Sequence, residues 1–326
     1  MKTIIGKEEI LDYCVDLIKK GEIVAFPTET VYGLGGDATN DLAIEKIYEA
    51  KNRPADNPFI VHVPSVEEAE KYAYVTEDAK KIFNMFSPGP ITVVLKKKDC
   101  IVNRATANLD TVGIRIPSHP LCREFLKRCN LPIAAPSANI SKKVSPTTAK
   151  HVFEDMNGKI PAILDGGNCD VGIESTVISL AGDAPVVLRP GGITIENLQK
   201  VLPNVKGFTG TVKVAQSPGM KYTHYCPIVP CVLYSSKENA INEYDNNKKN
   251  NPVILALSKD VDYFKAKNIE AISLGNTYKE FTHNIFRMLR ECEKEYGYII
   301  IQALGDTGLE NSIMNRILKS SGGKII

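Results

Sequence analysis

The order of apolar and polar positions changes its period many times along the first two hundred residues. Short apolar runs predict strands, and stretches with an apolar residue every three or four positions predict helices. The predicted strands cover residues 23–28, 59–63, 91–96, 112–116, 133–135, 162–164, 176–180 and 186–188. The predicted helices cover residues 7–20, 41–51, 65–73, 76–86, 120–129, 147–156 and 194–202. Because the last three strands follow one another without a helix, we expect one large α/β domain with a twisted, mixed sheet.

From Val205 onward this pattern lapses into a stretch rich in glycine and proline, which indicates a linker. After the linker, strands at 229–234, 253–257, 271–274 and 299–304 alternate with helices at 237–244, near 260, at 277–295 and at 308–320. This alternation is typical of a small doubly wound α/β domain. The predicted domains are therefore residues 1–204 and 228–326, joined by a linker at 205–227.

Two finer expectations concern the second domain. The asparagine-rich residues 244–251 are predicted to form a solvated loop. The apolar residues of the 277–295 helix fall on one side and are expected to pack in the core: Tyr278, Phe281, Ile285, Met288 and Cys292.

Composition narrows the class of protein. Of the 326 residues, 43% are hydrophobic and 24% are charged, with 40 lysines and arginines against 38 aspartates and glutamates. These values exclude a disordered chain and argue against a generally polybasic nucleic-acid binder. No stretch approaches the roughly 20 apolar residues of a membrane span, so we predict a cytoplasmic protein without membrane contact. The eight cysteines form no paired motif, and we expect reduced thiols.

Polar residues collect where several predicted strands end. The first such segment is Phe26-Pro-Thr-Glu-Thr-Val-Tyr-Gly-Leu-Gly-Gly36, and others are Ala134-Ala-Pro-Ser-Ala-Asn-Ile-Ser141, Gly172-Ile-Glu-Ser-Thr176 and Leu188-Arg-Pro-Gly-Gly192. Each one alone is explained equally well by a tight turn with a helix cap. Together they supply hydrogen-bonding groups and cations for a small polar substrate carrying phosphate.

Four charged or titratable residues stand out. Lys51 and Arg53 come at the predicted end of a helix, where cations are favourable and where we expect both to be exposed. Arg115 interrupts an apolar strand, and its charge needs either a protein carboxylate or a substrate anion. His62 also lies in an apolar strand, where a hydrogen-bonded core histidine is the default interpretation and a ligand contact the alternative.

Known catalytic motifs do not match. The sequence has no Walker A lysine, no Gly-x-Gly-x-x-Gly fingerprint, no Gly-x-Ser-x-Gly elbow and no set of carboxylates for two metals. The predicted site is therefore built for positioning and charge neutralisation rather than for covalent catalysis.

An ordered series of motifs resembles the L-threonylcarbamoyladenylate synthase family, in its two-domain form with a YrdC-like domain and a Rossmann-like C-terminal domain. The matching segments include Phe26–Leu34, Lys51-x-Arg53-Pro54, Pro58–His62, Ser87–Pro90, Gly113–Pro117, Ser137-Ala-Asn139, Ser145–Thr148, Glu174–Thr176, Arg189–Gly191 and, in the linker, Ser217–Pro227. The motifs span residues 5 to 227, and the second domain resembles the family in position and pattern only.

The resemblance implies an enzyme that joins L-threonine, bicarbonate or carbon dioxide, and ATP with Mg²⁺. It would release pyrophosphate and form L-threonylcarbamoyl-AMP, which a separate transferase uses to modify the adenosine next to the tRNA anticodon. No protein nucleophile is required, because the carbamate of threonine attacks the α-phosphorus itself.

The resemblance also implies roles for individual residues. The signature tetrad would be Lys51, Arg53, Ser137 and Asn139. Contacts to threonine would come from Thr30, His62, Arg115 and Ser175. Contacts to ATP would come from Arg53, Asn57, Thr111, Ala135, Ser137, Ser145, Arg189 and Tyr225. Because the linker around Tyr225 concentrates groups that stack and meet phosphate, we expect it to act as a lid over the nucleotide.

The sequence departs from the family pattern at Ser87, where relatives often have an aromatic residue, and this affects the local shape of the cavity. Two other readings remain. The lysines at 96–98, together with Lys51, Arg53, Arg104 and Arg115, would allow a weak tRNA contact or, as a main role, an RNA-binding module. The near-neutral total charge argues against that main role. A carbamoyl-adenylate enzyme of hydrogenase maturation ranks last, because the chain lacks that family's zinc-finger and acylphosphatase segments.

Overall fold

The computed structural model describes residues 2–208 and 225–326, which fold as two compact units. Among these residues the N-terminal unit comprises 2–141, 146–170 and 174–208, and the C-terminal unit comprises 142–145, 171–173 and 225–326. The predicted domain boundaries stay predictions. Most of the predicted linker and lid, residues 209–224, lies outside the described residues.

The N-terminal unit contains eleven strands and seven α-helices. The strands are β1 Ile4–Gly6, β2 Val24–Phe26, β3 Gly33–Asp37, β4 Ile60–His62, β5 Ile91–Lys96, β6 Thr111–Arg115, β7 Ile133–Ala134, β8 Ala162–Leu164, β9 Thr176–Ser179, β10 Val186–Arg189 and β11 Lys206–Gly207. The α-helices are α1 Leu11–Lys19, α2 Asp41–Lys51, α3 Val66–Tyr72, α4 Glu77–Phe86, α5 Pro120–Cys129, α6 Ala149–Met156 and α7 Ile195–Gln199. Short 3₁₀ helices lie at Glu8–Ile10 and Asn103–Thr106.

All eleven strands join one sheet in the order β1-β8-β2-β3-β7-β4-β6-β5-β9-β10-β11. Its pairs are mixed: β4 and β6 are parallel, as are β5 and β9, whereas β5 with β6 and β9 with β10 are antiparallel. The predicted mixed-sheet α/β fold is therefore confirmed.

The two faces of this sheet are covered differently. On one face, α2, α3, α4 and α6 bury apolar side chains against the middle of the sheet in the main core. On the other face, α1 and α5 pack over β2, β7 and β8. The second face of β4, β6, β5 and β9 carries a much smaller apolar cluster, Val94, Val177 and Leu188, and it also carries the polar residues described below.

Three strands of the N-terminal unit were not predicted from the sequence. β3 contains three glycines and resembles a loop, yet it pairs antiparallel with both β2 and β7. A Cβ on Gly35 would lie 2.6 Å from the Phe26 ring, so glycine lets this strand lie beneath an aromatic side chain. β1 and β11 are edge strands of three and two residues, too short for a periodic signal.

The C-terminal unit is a parallel sheet with helices, as predicted. Its strands are β12 Cys231–Tyr234, β13 Pro252–Ala256, β14 Ala271–Ser273 and β15 Tyr298–Gln302, in the order β12-β15-β13-β14. Its α-helices are α8 Lys237–Asn246, α9 Ser258–Lys265, α10 Tyr278–Glu295 and α11 Gly308–Ser320. One face packs on α8 and α9 through Ala240, Val261 and Phe264.

Two details of this unit differ from expectation. The predicted loop at 244–251 is instead the last turn of α8 followed by a 3₁₀ helix at Lys248–Asn250, because Asn247 and Asn250 satisfy the backbone and each other in place of apolar packing. On α10, Phe281, Ile285 and Cys292 are buried as predicted. Tyr278, in contrast, is 38% exposed, because it lies in the first turn of the helix.

No helix among residues 2–208 and 225–326 is both long and apolar enough to cross a membrane. The cytoplasmic location stays a prediction. All eight cysteines lie within the described residues and are unpaired thiols, as expected.

Candidate functional site

Cross-strand pairing places three polar residues on one face of the sheet. His62 of β4 pairs with Arg115 of β6, and Arg115 pairs with Thr92 of β5. Their chain neighbours Val61, Ile114 and Val93 belong to the main core. Since successive side chains of a strand point to opposite faces, His62, Arg115 and Thr92 share the face away from that core.

Arg115 forms a buried ion pair with Glu29. Nη2 of Arg115 lies 2.8 Å from Oε1 of Glu29, and the two side chains are only 5% and 4% exposed. The other carboxylate oxygen, Oε2, accepts a hydrogen bond of 3.2 Å from the backbone N–H of Ser118. Of the two partners expected for Arg115, the protein carboxylate is thus present, while the substrate anion stays a prediction. Within the described parts of the chain, Nε of Arg115 has no hydrogen-bond partner.

Glu29 was not singled out from the sequence. The signal was present, because Glu29 is the one carboxylate in the segment 26–36, which follows a buried strand. A buried arginine elsewhere in the same domain requires such a counter-charge. The sequence does not show that a loop after β2 reaches a strand four places away in the sheet.

His62 is buried and uncharged near neutral pH. Burial, followed by the positive charge of Arg115, lowers the pKa of its imidazole from 6.5 to about 3. Its ring meets Phe26 edge-on, with 5.8 Å between the ring centroids. Counting only residues 2–208 and 225–326, Nδ1 has no hydrogen-bond partner, so both the core histidine and the ligand contact stay predictions. An orphaned nitrogen beside a guanidinium is more consistent with the alternative, a ligand contact.

Ser175 continues this polar face towards β9 and β10. Its hydroxyl lies 2.8 Å from the hydroxyl of Thr92. Arg189, at the end of β10, donates from Nε and Nη2 to the Ser175 carbonyl at 3.1 and 3.0 Å. A Cβ on Gly191 would clash with the backbone of residues 174–176, so glycine is required for this close approach. Glu29 with Arg115, and Thr92 with Ser175 and Arg189, thus form two bonded groups on neighbouring strands.

Thr30 lies in the loop that carries Glu29 and is fully buried. Its hydroxyl is 2.9 Å from that of Thr28, and the Thr28 hydroxyl donates to the Val31 carbonyl at 2.6 Å. Because Thr28 uses its single proton on that carbonyl, the Thr30 hydroxyl donates to Thr28. The lone pairs of Thr30 then serve as acceptors.

Lys51 does not occupy the exposed position that the sequence predicted. It is the last residue of α2, only 2% exposed, and its Nζ donates to the carbonyls of Ser137 and Asn139 at 2.5 and 2.6 Å. The next residue, Asn52, ends the helix in a left-handed conformation (φ 49°). The lysine side chain therefore lies over the segment after β7 instead of entering water.

The other members of the predicted tetrad divide into two places. Ser137 donates from Oγ to Oδ1 of Asn139 at 2.5 Å, and Asn139 donates from Nδ2 to the Ile140 carbonyl at 2.9 Å. Lys51, Ser137 and Asn139 therefore form one hydrogen-bonded group. Arg53 is half-buried and lies outside this group, in the segment that follows α2.

Arg53 supports the segment that leads into β4. Its Nη2 donates to the Asn57 carbonyl at 3.0 Å, and its guanidinium carbon lies 5.0 Å from the centroid of the Phe59 ring. Asn57 is fully buried, and neither its side-chain oxygen nor its nitrogen has a partner among the described residues. A buried amide with both ends unsatisfied is a good candidate for a ligand contact.

The remaining predicted contacts of the N-terminal unit are Thr111 and Ala135. Thr111, at the start of β6, lines a cavity of about 450 Å³ together with Val94, Leu188 and Phe208. Ala135 follows β7, and its N–H donates to the Ile60 carbonyl at 2.9 Å. Both residues therefore belong to the strands that carry the polar face or lie next to it.

Ser145 and Tyr225 belong to the C-terminal unit. Ser145 is 1% exposed. The Tyr225 ring stacks on Phe286 of α10, with 5.0 Å between centroids and 26° between planes. Their contacts with a nucleotide stay predictions.

No group of three or more histidine, cysteine, aspartate or glutamate side chains arranged to hold a metal occurs in the described part of the chain.

Two family models match the chain over adjoining ranges. The model for the Sua5, YciO and YrdC proteins, described as Telomere recombination, matches residues 16–191. The model described as Threonylcarbamoyl-AMP synthase, C-terminal domain, matches residues 193–322.

Individual relatives match over nearly the whole chain. The threonylcarbamoyl-AMP synthase of Bacillus subtilis (strain 168) is 42% identical, over 95% of this chain and 92% of its own. The threonylcarbamoyl-AMP synthase of Pyrococcus abyssi is 41% identical, over 95% of this chain and 93% of its own. The crystal structure of P. abyssi Sua5 complexed with L-threonine has a TM-score of 0.90 at 37% identity, covering 100% of this chain and 98% of that one.

Proposed function

The chain belongs to the Sua5, YciO and YrdC family, in its two-domain threonylcarbamoyl-AMP synthase form, and on that premise we propose that it makes L-threonylcarbamoyl-AMP. Its substrates are L-threonine, bicarbonate or carbon dioxide, and ATP, and pyrophosphate is the second product. The observation that carries this proposal is the match to threonylcarbamoyl-AMP synthases over 95% of the chain. The polar face of the sheet supports it independently.

The proposed reaction has two steps. The uncharged amine of threonine adds to carbon dioxide and loses a proton, which gives a carbamate. A carbamate oxygen then attacks the α-phosphorus of ATP, and the bond to pyrophosphate breaks. Both nucleophiles come from the substrates, which agrees with a site whose residues position groups and stabilise charge.

Four residues are proposed to hold threonine, and their geometry suits an amino acid. Arg115 offers a guanidinium whose Nε has no partner among the described residues, which suits a carboxylate. Thr30 has acceptor lone pairs for an amine. Neutral His62 can exchange a hydrogen bond through Nδ1 without adding charge, and Ser175 adds a hydroxyl next to Thr92.

ATP is proposed to lie beside the cations and the amide of the same unit. Lys51, Arg53 and Arg189 would neutralise phosphate charge as it develops in the transition state. Asn57, Ser137, Thr111 and Ala135 would provide the remaining contacts of this unit. Asn139 would act indirectly, because it holds the Ser137 hydroxyl.

Magnesium is proposed to enter as part of the substrate, as the Mg²⁺ complex of ATP. Phosphate oxygens and water supply most ligands of such an ion, and its charge helps to offset that of the phosphates. The chain's own contribution is then the placement of the phosphate chain by lysine and arginine.

A separate transferase is proposed to consume the product, moving the threonylcarbamoyl group to the adenosine next to the tRNA anticodon. A direct tRNA contact would be weak. Of the lysines at 96–98, Lys97 donates to the Ile101 carbonyl and Lys98 donates to the Glu70 carbonyl, so both are already engaged within the chain.

Exchange of labelled pyrophosphate into ATP tests the proposed reaction. We expect exchange that requires both threonine and bicarbonate, because only the carbamate attacks ATP. An enzyme that activated the threonine carboxylate directly would show exchange without bicarbonate. Exchange that persists in bicarbonate-free, degassed buffer would therefore contradict the proposal.

A further inference from the structure

The Glu29–Arg115 pair holds two full charges where water scarcely reaches. The side chains are 4% and 5% exposed, and the carboxylate is fixed at both oxygens, by Arg115 at 2.8 Å and by the Ser118 N–H at 3.2 Å. Glu29 therefore cannot swing into solvent without breaking both bonds. Its carboxylate is therefore a fixed part of the polar face.

Three titratable groups near the pair, His62, Cys122 and Cys169, add no charge to it. Burial together with Arg115 lowers the pKa of His62 to about 3, so its imidazole is neutral. The thiols of Cys122 and Cys169 interact electrostatically with both members of the pair. Burial raises the pKa of each thiol well above its usual range, so both are uncharged.

A buried arginine without Glu29 would attract any anion. ATP, bicarbonate and pyrophosphate are all anions in the proposed reaction, and each could occupy such a guanidinium. Glu29 instead repels any simple anion that approaches Arg115, and this repulsion is strong in a poorly solvated region. A zwitterionic amino acid carries no net charge. Its carboxylate would meet Arg115, and its ammonium would be attracted by Glu29.

We infer that Glu29 is a specificity-determining residue, which makes the Arg115 site select a zwitterionic amino acid over anions that lack an amine. This inference rests on the proposed function, in which Arg115 receives the carboxylate of threonine. A purely structural role for Glu29 is the competing explanation. A specificity role predicts that binding depends on the charge of the ligand at constant shape, whereas a structural role predicts no such dependence.

The test compares two ligands of the same shape in the full-length protein by calorimetry. One is L-threonine, and the other is the 2,3-dihydroxybutanoate of matching configuration, in which a hydroxyl replaces the amine. We expect the wild-type protein to prefer threonine. In Glu29→Gln, threonine binding weakens roughly tenfold or more, because the ammonium of threonine loses the attraction of the Glu29 carboxylate. Binding of the hydroxy acid holds or tightens, so the preference collapses. Glu29→Asp, which keeps the charge, retains the preference.

An equal loss for both ligands in Glu29→Gln would show a structural role only and overturn the inference. If that variant does not fold, the wild-type protein decides, since equal affinity for the two ligands would contradict selection by charge. The proposed function fails separately, if the wild-type protein binds neither ligand or makes no threonylcarbamoyl-AMP. Normal synthesis by the wild type together with unchanged selectivity in Glu29→Gln would leave the function intact and reject only this role of Glu29.

Discussion

At the residue scale, the buried position of Lys51 changes what its removal should do. Its ammonium is shared between the carbonyls of Ser137 and Asn139, which follow β7 and form part of the proposed nucleotide site. The Lys51 side chain therefore supplies a positive charge and also holds the backbone that follows β7. Arg53, two residues later, is half-buried and contacts a different segment.

We predict that Lys51→Met abolishes most synthesis and also lowers the free energy of unfolding by about 1–3 kcal/mol. Methionine keeps the apolar stem, but the two carbonyls lose a charged donor. Urea denaturation and threonine-dependent pyrophosphate release measure the two effects. Arg53→Ala is the matched comparison, with a similar loss of synthesis and less than about 1 kcal/mol of stability. Equal stability of Lys51→Met and the wild type would contradict the buried role of Lys51.

His62 should make stability depend on pH. Its pKa is about 3 in the folded protein and near 6.5 when unfolded, so below pH 6.5 the unfolded chain binds the extra proton. The free energy of unfolding is therefore unaffected by His62 above pH 6.5, and it decreases as the pH falls from 6.5 towards 3. The expected slope is ~1.4 kcal/mol per pH unit, or about 2 kcal/mol between pH 7 and 5.

The measurement compares urea unfolding of the wild type and of His62→Gln, which cannot titrate. The stability of the wild type relative to His62→Gln should fall by about 2 kcal/mol between pH 7 and 5. Parallel curves would mean that His62 titrates normally in the folded state.

At the element scale, two glycines between β9 and α7 make a matched pair. Gly191 follows β10 and packs against the backbone around Ser175. Gly182 lies in the turn between β9 and β10. A Cβ added there would meet no heavy atom within 4 Å among the described residues. The approach at Gly191 sets the position of Ser175, which Arg189 also holds.

We predict that Gly191→Ala lowers the unfolding free energy by about 1–3 kcal/mol and raises KM for threonine, because the added methyl group pushes the segment around Ser175 away. Gly182→Ala should change neither stability nor KM. Thermal unfolding and steady-state kinetics of the two variants decide this. If both variants behaved alike, the close approach would not matter to the site.

Elements with a clear period were predictable from the sequence, and elements held by neighbours were not. α2, α5, α11, β5 and β8 have the predicted bounds, because each has a clear apolar period or run with turn signals at its ends. β3 escaped prediction, since its glycines give no periodic signal and its strand form depends on pairing with β2 and β7.

The candidate site shows the same division. Arg115 and His62 stood out because a polar residue in an apolar strand is visible in the sequence. Glu29 and the burial of Lys51 could not be recognised in the sequence, because both depend on contacts between segments 86 residues apart or more in the chain. Distances of that kind are set by the order of strands in the sheet, which local periodicity does not encode.

At the scale of the whole molecule, the C-terminal unit includes two short segments from the first part of the sequence, 142–145 and 171–173. Arg290 of α10 donates from Nε and Nη2 to the Val144 carbonyl at 3.0 and 2.6 Å, next to Ser145. Gly172 approaches the backbone of Thr282 and His283 so closely that a Cβ would clash. α10 thus fixes both segments.

We predict that Arg290→Met exposes segment 142–145 to faster amide exchange, because its carbonyl anchor loses a charged donor. Hydrogen exchange read by mass spectrometry measures this, with Arg287→Met on the same helix as the control, since Arg287 is half-exposed and pairs with Glu291 on α10 itself. Unchanged exchange in Arg290→Met would show that α10 does not hold the segment.

The central claim is that the carbon of bicarbonate joins threonine to AMP, and product mass measures this most directly. The full-length protein is incubated with ATP, Mg²⁺, L-threonine and ¹³C-bicarbonate, and the products are analysed at once by mass spectrometry. We expect threonylcarbamoyl-AMP that carries one ¹³C and is formed together with pyrophosphate. Threonyl-AMP without the label, or pyrophosphate release that does not depend on threonine, would contradict it.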